Sequence, residues 1–584
     1  MWRDNWRDNI WQSLDRRFDL IIIGGGITGA GILREAVRLG LEALLVDQKD
    51  FAWGTSSRSS KLVHGGLRYL QSFQIGLTRA SVRERDRLVG EAPGLIDPLG
   101  FLLANYAGDA PGRWTFAAGL SVYDLLALHW SHRHFSAQDF QMLAPHLTSA
   151  GLEGGFRYGD AQTDDARLVL RVLQEAAEAG ATAINYVRAG GLLQDESGSV
   201  IGVRLHDAVG DRETECRARV VINATGAWAD QLRSQVGRTP RLRPLRGSHL
   251  IFPSWRFPTA QAISFLHPID RRPVFVFPWE GITLVGTTDV DHGTELSSEP
   301  SISPEEVSYL MAAVQSQFAP LALRTEDVTA TFAGIRPVID TGKEDPSKES
   351  RDHIIWEESG LVTVTGGKLT TFRLIALDAL RSVRHLFPEL DPINADEPVL
   401  EPVDETLLSD AGLNEQVRRR LVGRYGNRAP ALVTAAAQDE LRPIPGTATL
   451  WAELRWGARA EGVVHLDDLL FRRVRLGLLL PGGGQTHLGR IRAICQAELG
   501  WGDARWEEEE KAYLQLWQSC YQPPHPDTVP DWRPALAAAR AGRGAPGGPR
   551  RYNQLILAAS LCLLGAALAA YYWRLRKRSQ RALI

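Results

Sequence analysis

The sequence predicts an α/β fold: a parallel sheet with helices against it near the N-terminus, a second α+β unit threaded through the same region, and helices towards the C-terminus. Three observations predict it. Phe18–Ile23 is a short apolar run, followed by clustered glycines, a helical pattern, a second apolar run (41–46) and an acid, Asp47. Two further apolar runs, Val220–Ile222 and Leu361–Thr365, end in small or glycine-rich turns, as strands returning to one sheet do. From about residue 405 to 520 the pattern is helical, with Val417–Leu421, Leu450–Glu461 and Leu466–Leu478 mixing apolar and basic residues; packing on the preceding domain or self-association, a homodimer at simplest, is expected there.

The chain has 584 residues, about four units at ~150 residues each. Lys+Arg 66 against Asp+Glu 69 leaves a charge of −3, which argues against a nucleic-acid partner. Four scattered cysteines show no zinc spacing and no disulfide framework. The expected division is a polar lead (1–17), a main domain (18–397) with an interleaved cap (about 84–154 and 237–340), a helical domain (398–522), a Pro/Gly-rich tether (523–554), a membrane helix (555–573) and a basic tail (574–584). Leu555–Trp573 is free of charge and, at ~1.5 Å per residue, about 28 Å long, close to the ~30 Å hydrocarbon core. Tyr571, Tyr572 and Trp573 then precede Arg574, Arg576, Lys577 and Arg578. A single-pass C-terminal helix is therefore expected, with the catalytic part on the cytoplasmic side because no export signal is found.

The first unit carries GxGxxG at Gly24, Gly26 and Gly29, with Asp47 after the second strand. Gly24 allows the tight turn, Gly26 lets backbone N–H groups reach a pyrophosphate, and Gly29 lets helix and strand pack closely. The helix start favours phosphate, and Asp47 is placed for ribose hydroxyls. This predicts dinucleotide binding without separating FAD from NAD. The hydroxyl-rich loop Thr55, Ser56, Ser57, Ser60 and Lys61, the turn Gly65, Gly66 and Leu67, the strand end Thr225 and Gly226, and the turn Gly367, Lys368, Leu369 and Thr370 supply further candidate contacts. Strand ends spread from Gly24 to Thr371 suit an extended FAD better than a compact NAD site. A helix start after Lys368 would face the flavin pyrimidine edge, where negative charge appears on reduction.

Seven segments in order, SSKLVHGGLRYL (59–70), TDDARLVL (163–170), NATGAW (223–228), RGSHL (246–250), GTTDV (286–290), AGIRPV (333–338) and GGKLTTFR (366–373), resemble the FAD-dependent, quinone-linked glycerol-3-phosphate dehydrogenases. The resemblance runs from about residue 18 to 520. It implies a Rossmann-like FAD-binding domain of the glutathione-reductase/D-amino-acid-oxidase type, an interleaved substrate cap and a helical C-terminal domain. It implies oxidation of sn-glycerol 3-phosphate to dihydroxyacetone phosphate, with membrane quinone and the lipid bilayer as partners. It also implies that Arg68, Tyr69, His249, Arg336 and Lys368 line the substrate site.

A phosphorylated alcohol requires cations on rigid elements, and Arg68, Arg336 and Lys368 stand in glycine- or proline-punctuated segments. Of the expected catalytic set Arg336, His249 and Lys368, His249 is the candidate base for the hydroxyl proton, or a group that only orients its surroundings. Arg336 is expected on phosphate or a developing alkoxide. No metal is expected: His129, His132 and His134 lack a ligand set, Asp164–Asp165 reads as a helix start, and Ser303–Glu306 reads as a capping box. Competing readings are an oxygen-using oxidase, an amino-acid oxidase, and a membrane-tethered flavin sensor without turnover.

Overall fold

The computed structural model describes residues 2, 5–67, 70, 74–109, 112–293, 295–342, 352–404 and 406–543. Its first sheet orders the strands His353–Glu358, Leu361–Gly366, Arg212–Asn223, Arg17–Ile23, Ala43–Val46 and Thr182–Ile184. Every pairing among the last five is parallel. Such strands are covered on both faces, so they read as unbroken apolar runs. Leu20 and Ile22 enter one core with Leu33, Ala36, Val169, Leu173, Phe372 and Ala376, from the helices Ile27–Arg38, Asp165–Glu178 and Phe372–Ser382. Ile21 and Ile23 point into a second core against the hairpin Val187–Gln194/Val200–Asp207.

The second sheet is mostly antiparallel and draws its strands from residues 62–163 and 242–339. One face packs beneath the helix Pro304–Gln317 through Leu250, Phe252, Val285, Leu310 and Met311. The other buries Phe277, Trp279, Leu284 and Phe332 against Leu469, Leu470, Phe471, Leu476 and Trp506 of the C-terminal region. That region contains the helices Glu415–Tyr425, Trp451–Ala460, Leu488–Cys495 and Asp503–Cys520.

Four expectations change. The lead is not merely polar: Trp2 is buried, donates from Nε1 to Ala183 O at 3.1 Å and packs on Phe51, while Trp6–Gln12 is helical. Leu466–Leu478 is not one amphipathic helix; it is a π-helical stretch (Asp468–Arg473), a left-handed Arg475 and the short helix Leu476–Leu479. Its arginines are paired internally instead of facing water. The tether expected from 523 is structured over its first part. Helix Arg533–Arg543, with Pro at its second position, follows Val529 and Trp532, which pack on the second-sheet core.

The membrane expectation is also corrected. No helix among the described residues is long and apolar enough to cross a membrane. The helix Asp503–Cys520 has 18 residues but carries four consecutive glutamates and a lysine. The run 555–573 and the basic tail lie outside the described residues, and the single-pass, cytoplasm-facing arrangement is not carried forward.

Candidate active site

The glycine turn has the geometry its spacing predicts. Gly24 is left-handed (φ 116°), and a Cβ there would lie 2.5 Å from Ala224 O. A Cβ at Gly29 would lie 1.9 Å from Gly24 O, so only glycine lets this helix meet its strand. Gly26 is an extended N-cap without a capping side chain; Ile27 N donates to Ser56 Oγ at 2.9 Å. First-turn amide donors and the positive end of the helix thus face the strand ends. Asp47 accepts from Gly25 N at 2.6 Å and Lys49 N at 2.9 Å. Burial outweighs those donors and raises its carboxyl to about 7.

Other segments gather around this turn. Thr55–Ser57 is a single 3-10 turn, with Thr55 Oγ1 donating to Ile335 O. Thr225 Oγ1 donates to Asn223 Oδ1 at 2.7 Å, and left-handed Gly226 (φ 59°) has open space where a Cβ would project. Thr370 Oγ1 accepts from His64 N at 3.1 Å and donates to His64 O at 3.2 Å, tying the Lys368–Thr370 turn to the Gly65–Leu67 turn. Gly65 N donates to Asp160 Oδ1, a carboxylate also held by Tyr123 and Arg85, and a Cβ at Gly65 would strike Tyr123 Oη. Gly66 and Gly367 are both left-handed (φ 79°). Leu67 and Leu369 are half-buried against the second- and first-sheet cores respectively. Lys368 is half-buried at the head of the turn that opens helix Phe372–Ser382.

The second sheet supplies the opposite wall. His249 and Phe332 are directly paired, as are Leu245 and Arg336, so His249 and Arg336 share one face about 13 Å apart at the backbone. His249 is 1% exposed and stacks on Phe332 at 4.5 Å and 8°. Its Nε2 lies 2.9 Å from Ser60 Oγ, while Nδ1 is buried without a hydrogen-bond partner among the described residues. Burial first, then the charges of Arg336 and Lys61, hold His249 well below the ordinary imidazole value, so it is neutral. Arg336 is steered by Asp289 (2.8 Å) and Thr287 Oγ1 (3.1 Å).

The structure therefore brings together His249, Ser60, Arg336 and the turns carrying Ser56, Gly66, Gly226 and Lys368. Arg68 and Tyr69 lie outside the described residues. Lys61 is fully buried, its Nζ donating to Ser57 O and both Asp165 oxygens, so its ammonium faces an ion pair instead of the cleft. The Ser57 carbonyl points to the same ion pair. Sequence reasoning missed Asp289 and Asp160 and gave Asp165 only the duty of opening a helix, though all three position neighbouring groups. Asp289 and Asp165 at least stood inside the punctuated motifs 286–290 and 163–170, whereas Asp160 lies in neither and carried no signal.

Known proteins match this layout. The family model for FAD-dependent oxidoreductases matches residues 19–376. The chain belongs to the FAD-dependent oxidoreductase family. A second model, the C-terminal domain of alpha-glycerophosphate oxidase, matches residues 397–506. An aerobic glycerol-3-phosphate dehydrogenase of Staphylococcus aureus (strain USA300) is 36% identical over 495 residues, covering 80% of this chain and 88% of that protein. The structure of a glycerol-3-phosphate dehydrogenase from Bacillus halodurans, complexed with FAD, aligns with a TM-score of 0.72 at 28% identity, covering 88% of this chain and 98% of that one. An L-alpha-glycerophosphate oxidase structure from Mycoplasma pneumoniae shares the fold (TM-score 0.53, 16% identity).

FAD is the cofactor of this oxidoreductase family member, and the residues present fit it. The glycine N-cap offers no capping side chain of its own at the helix start, where Ser56 Oγ holds Ile27 N, Asp47 follows the second strand, and open space fronts Gly226 at a third strand end. The dinucleotide expectation and the flavin expectation thus meet at one set of strand ends.

Proposed function

We propose that this chain oxidises sn-glycerol 3-phosphate to dihydroxyacetone phosphate and passes the electrons to a membrane quinone. The observation that carries the reading is the shared face of His249 and Arg336, set against the turns of an FAD-binding sheet in a chain 36% identical to an aerobic glycerol-3-phosphate dehydrogenase. Bound FAD supplies the two-electron acceptor for the hydrogen on the alcohol carbon.

In this reading Arg336 takes the phosphate through a guanidinium fork that Asp289 has already oriented, with Lys368, Arg68 and Tyr69 completing the substrate pocket. Asp47 holds the ribose, and the starts of helices Ile27–Arg38 and Phe372–Ser382 offer donors to phosphate and pyrimidine. Ser60, half-exposed, hands the hydroxyl proton to the buried neutral imidazole of His249. Arrival of a phosphate dianion offsets Arg336, one of the charges that suppress His249 basicity, so binding prepares the base. We assign the cofactor domain and cap to 18–397 and the helical domain to 398–522.

A second reading differs only in the acceptor: the match of residues 397–506 to a glycerophosphate-oxidase domain favours molecular oxygen. Anaerobic bleaching of the yellow protein by glycerol 3-phosphate, followed by parallel reoxidation with a quinone analogue and with air, separates the two. Fast reoxidation by the quinone analogue and slow reoxidation by air is expected. Rapid air oxidation with stoichiometric peroxide would select the oxidase, and absence of bleaching would refute both.

A further inference from the structure

The loop 55–61 serves both halves of the site, through Ser56 at the phosphate turn and Ser60 at His249. Its conformation is set from behind. Ser59 donates from N and Oγ to Asp165 Oδ2 at 2.9 and 2.7 Å, and Lys61 N donates to Ser59 Oγ at 3.0 Å. Ser57 O accepts from Lys61 Nζ and from Arg475 Nη2, each at 2.9 Å. Arg475 Nη2 also donates to Asp165 Oδ1 at 2.6 Å.

Arg475 belongs to the C-terminal region, 310 residues beyond Asp165. Its guanidinium is anchored there by donation to Phe471 O at 2.7 Å. Lys61 (φ 56°) and Arg475 (φ 63°) both adopt left-handed backbone, which residues bearing a Cβ hold only when their surroundings impose it. All three charged side chains are at most 1% exposed. A fork donating to a loop carbonyl and a shared carboxylate defines position in a way that a hydrophobic contact does not.

We propose that Arg475 is a positioning residue of the active site: through Ser57 and Asp165 it sets the 55–61 loop, so the helical domain completes a site whose contacting groups come from the N-terminal domain. The proposal builds on the flavin-linked function above and goes beyond it. Arg424, equally buried and paired across the same boundary with Asp164 at 2.8 Å, makes none of the hydrogen bonds to the loop described here and is the matched control.

The test compares wild-type holoenzyme with Arg475→Gln, Ser59→Ala and Arg424→Gln by anaerobic stopped-flow reduction with glycerol 3-phosphate, visible circular dichroism of the bound flavin, and thermal unfolding. Arg475→Gln and Ser59→Ala should slow flavin reduction by roughly 10–100-fold and change the flavin dichroism, with half-saturating substrate little altered. Arg424→Gln should lower the unfolding temperature while keeping both readouts near wild type. The proposal is overturned if Arg424→Gln slows reduction as much as Arg475→Gln, or if Ser59→Ala behaves as wild type. Should Arg475→Gln fail to fold, Arg475→Lys, which keeps the cation but loses the fork shared by Ser57 O and Asp165, decides by the same readouts. If wild type itself is not reduced, the functional reading fails, and the dichroism still decides whether Arg475 sets the loop.

Discussion

Asp47 and His249 show how one residue's surroundings decide its chemistry. The Asp47 carboxyl, raised to about 7 by burial, is protonated below that pH in the free site. Ribose hydroxyls need an ionised acceptor, so FAD affinity should weaken as pH falls through 7, by at most about tenfold per pH unit for one linked proton. Fluorescence titration of the apoprotein at pH 5.5–8.5 checks this, and Asp47→Asn should bind weakly with no slope. His249 is shifted the other way in the free site, so the acid limb of the second-order rate of flavin reduction at low substrate should fall well below pH 6.5. His249→Gln should slow reduction by about 10²–10⁴-fold at nearly unchanged half-saturating substrate; reduction within twofold of wild type would reduce His249 to a packing residue. Arg336→Gln should instead raise KM by roughly 10–100-fold, the size of a lost charge-assisted hydrogen bond.

At the scale of elements, the punctuated motifs were legible because each glycine answers a local steric demand. Gly24 and Gly29 could be assigned from spacing alone, since the turn and the helix approach depend on neighbours in the chain. Gly29→Ala puts a carbon 1.9 Å from a backbone oxygen, so helix Ile27–Arg38 must shift outward. Overpacking of this kind costs about 1–3 kcal/mol, and the purified variant should lose its flavin absorbance. The capping box Ser303–Glu306 was also legible, yet only partly understood. Glu306 caps its helix and also accepts from Ser248 Oγ and Thr288 Oγ1 while pairing with Arg246, so it braces the strand of His249 and the turn of Asp289. That second duty depends on residues 18 and 58 positions away in sequence, and periodicity carries no trace of it.

Across the whole molecule, the buried ion pairs joining the C-terminal helices to the first sheet were the least legible feature. Arg472, Arg473 and Arg475 look like solvated charge in an amphipathic run, but they reach Asp50 and Asp165, 310 to 423 residues earlier. Three arginines inside the otherwise apolar run 469–480 were the available signal, because burying one cation demands a paired anion. Removing residues beyond 397 would strand Asp50, Asp164 and Asp165 without their arginines and uncover the apolar face around Phe277, Trp279 and Leu284. The fragment 1–397 should therefore be recovered insoluble or free of flavin, which centrifugation and absorbance at the flavin maximum will show.

In the proposed reaction a phosphorylated polyol bound through Arg336 would give up the hydrogen on its carbinol carbon to FAD. Anaerobic stopped-flow reduction with glycerol 3-phosphate carrying hydrogen or deuterium at carbon 2 addresses that step directly. Rapid bleaching that is slower with deuterium, and absent with unphosphorylated glycerol at the same concentration, is the predicted result. Equal bleaching by glycerol, or none by either phosphate, would contradict it.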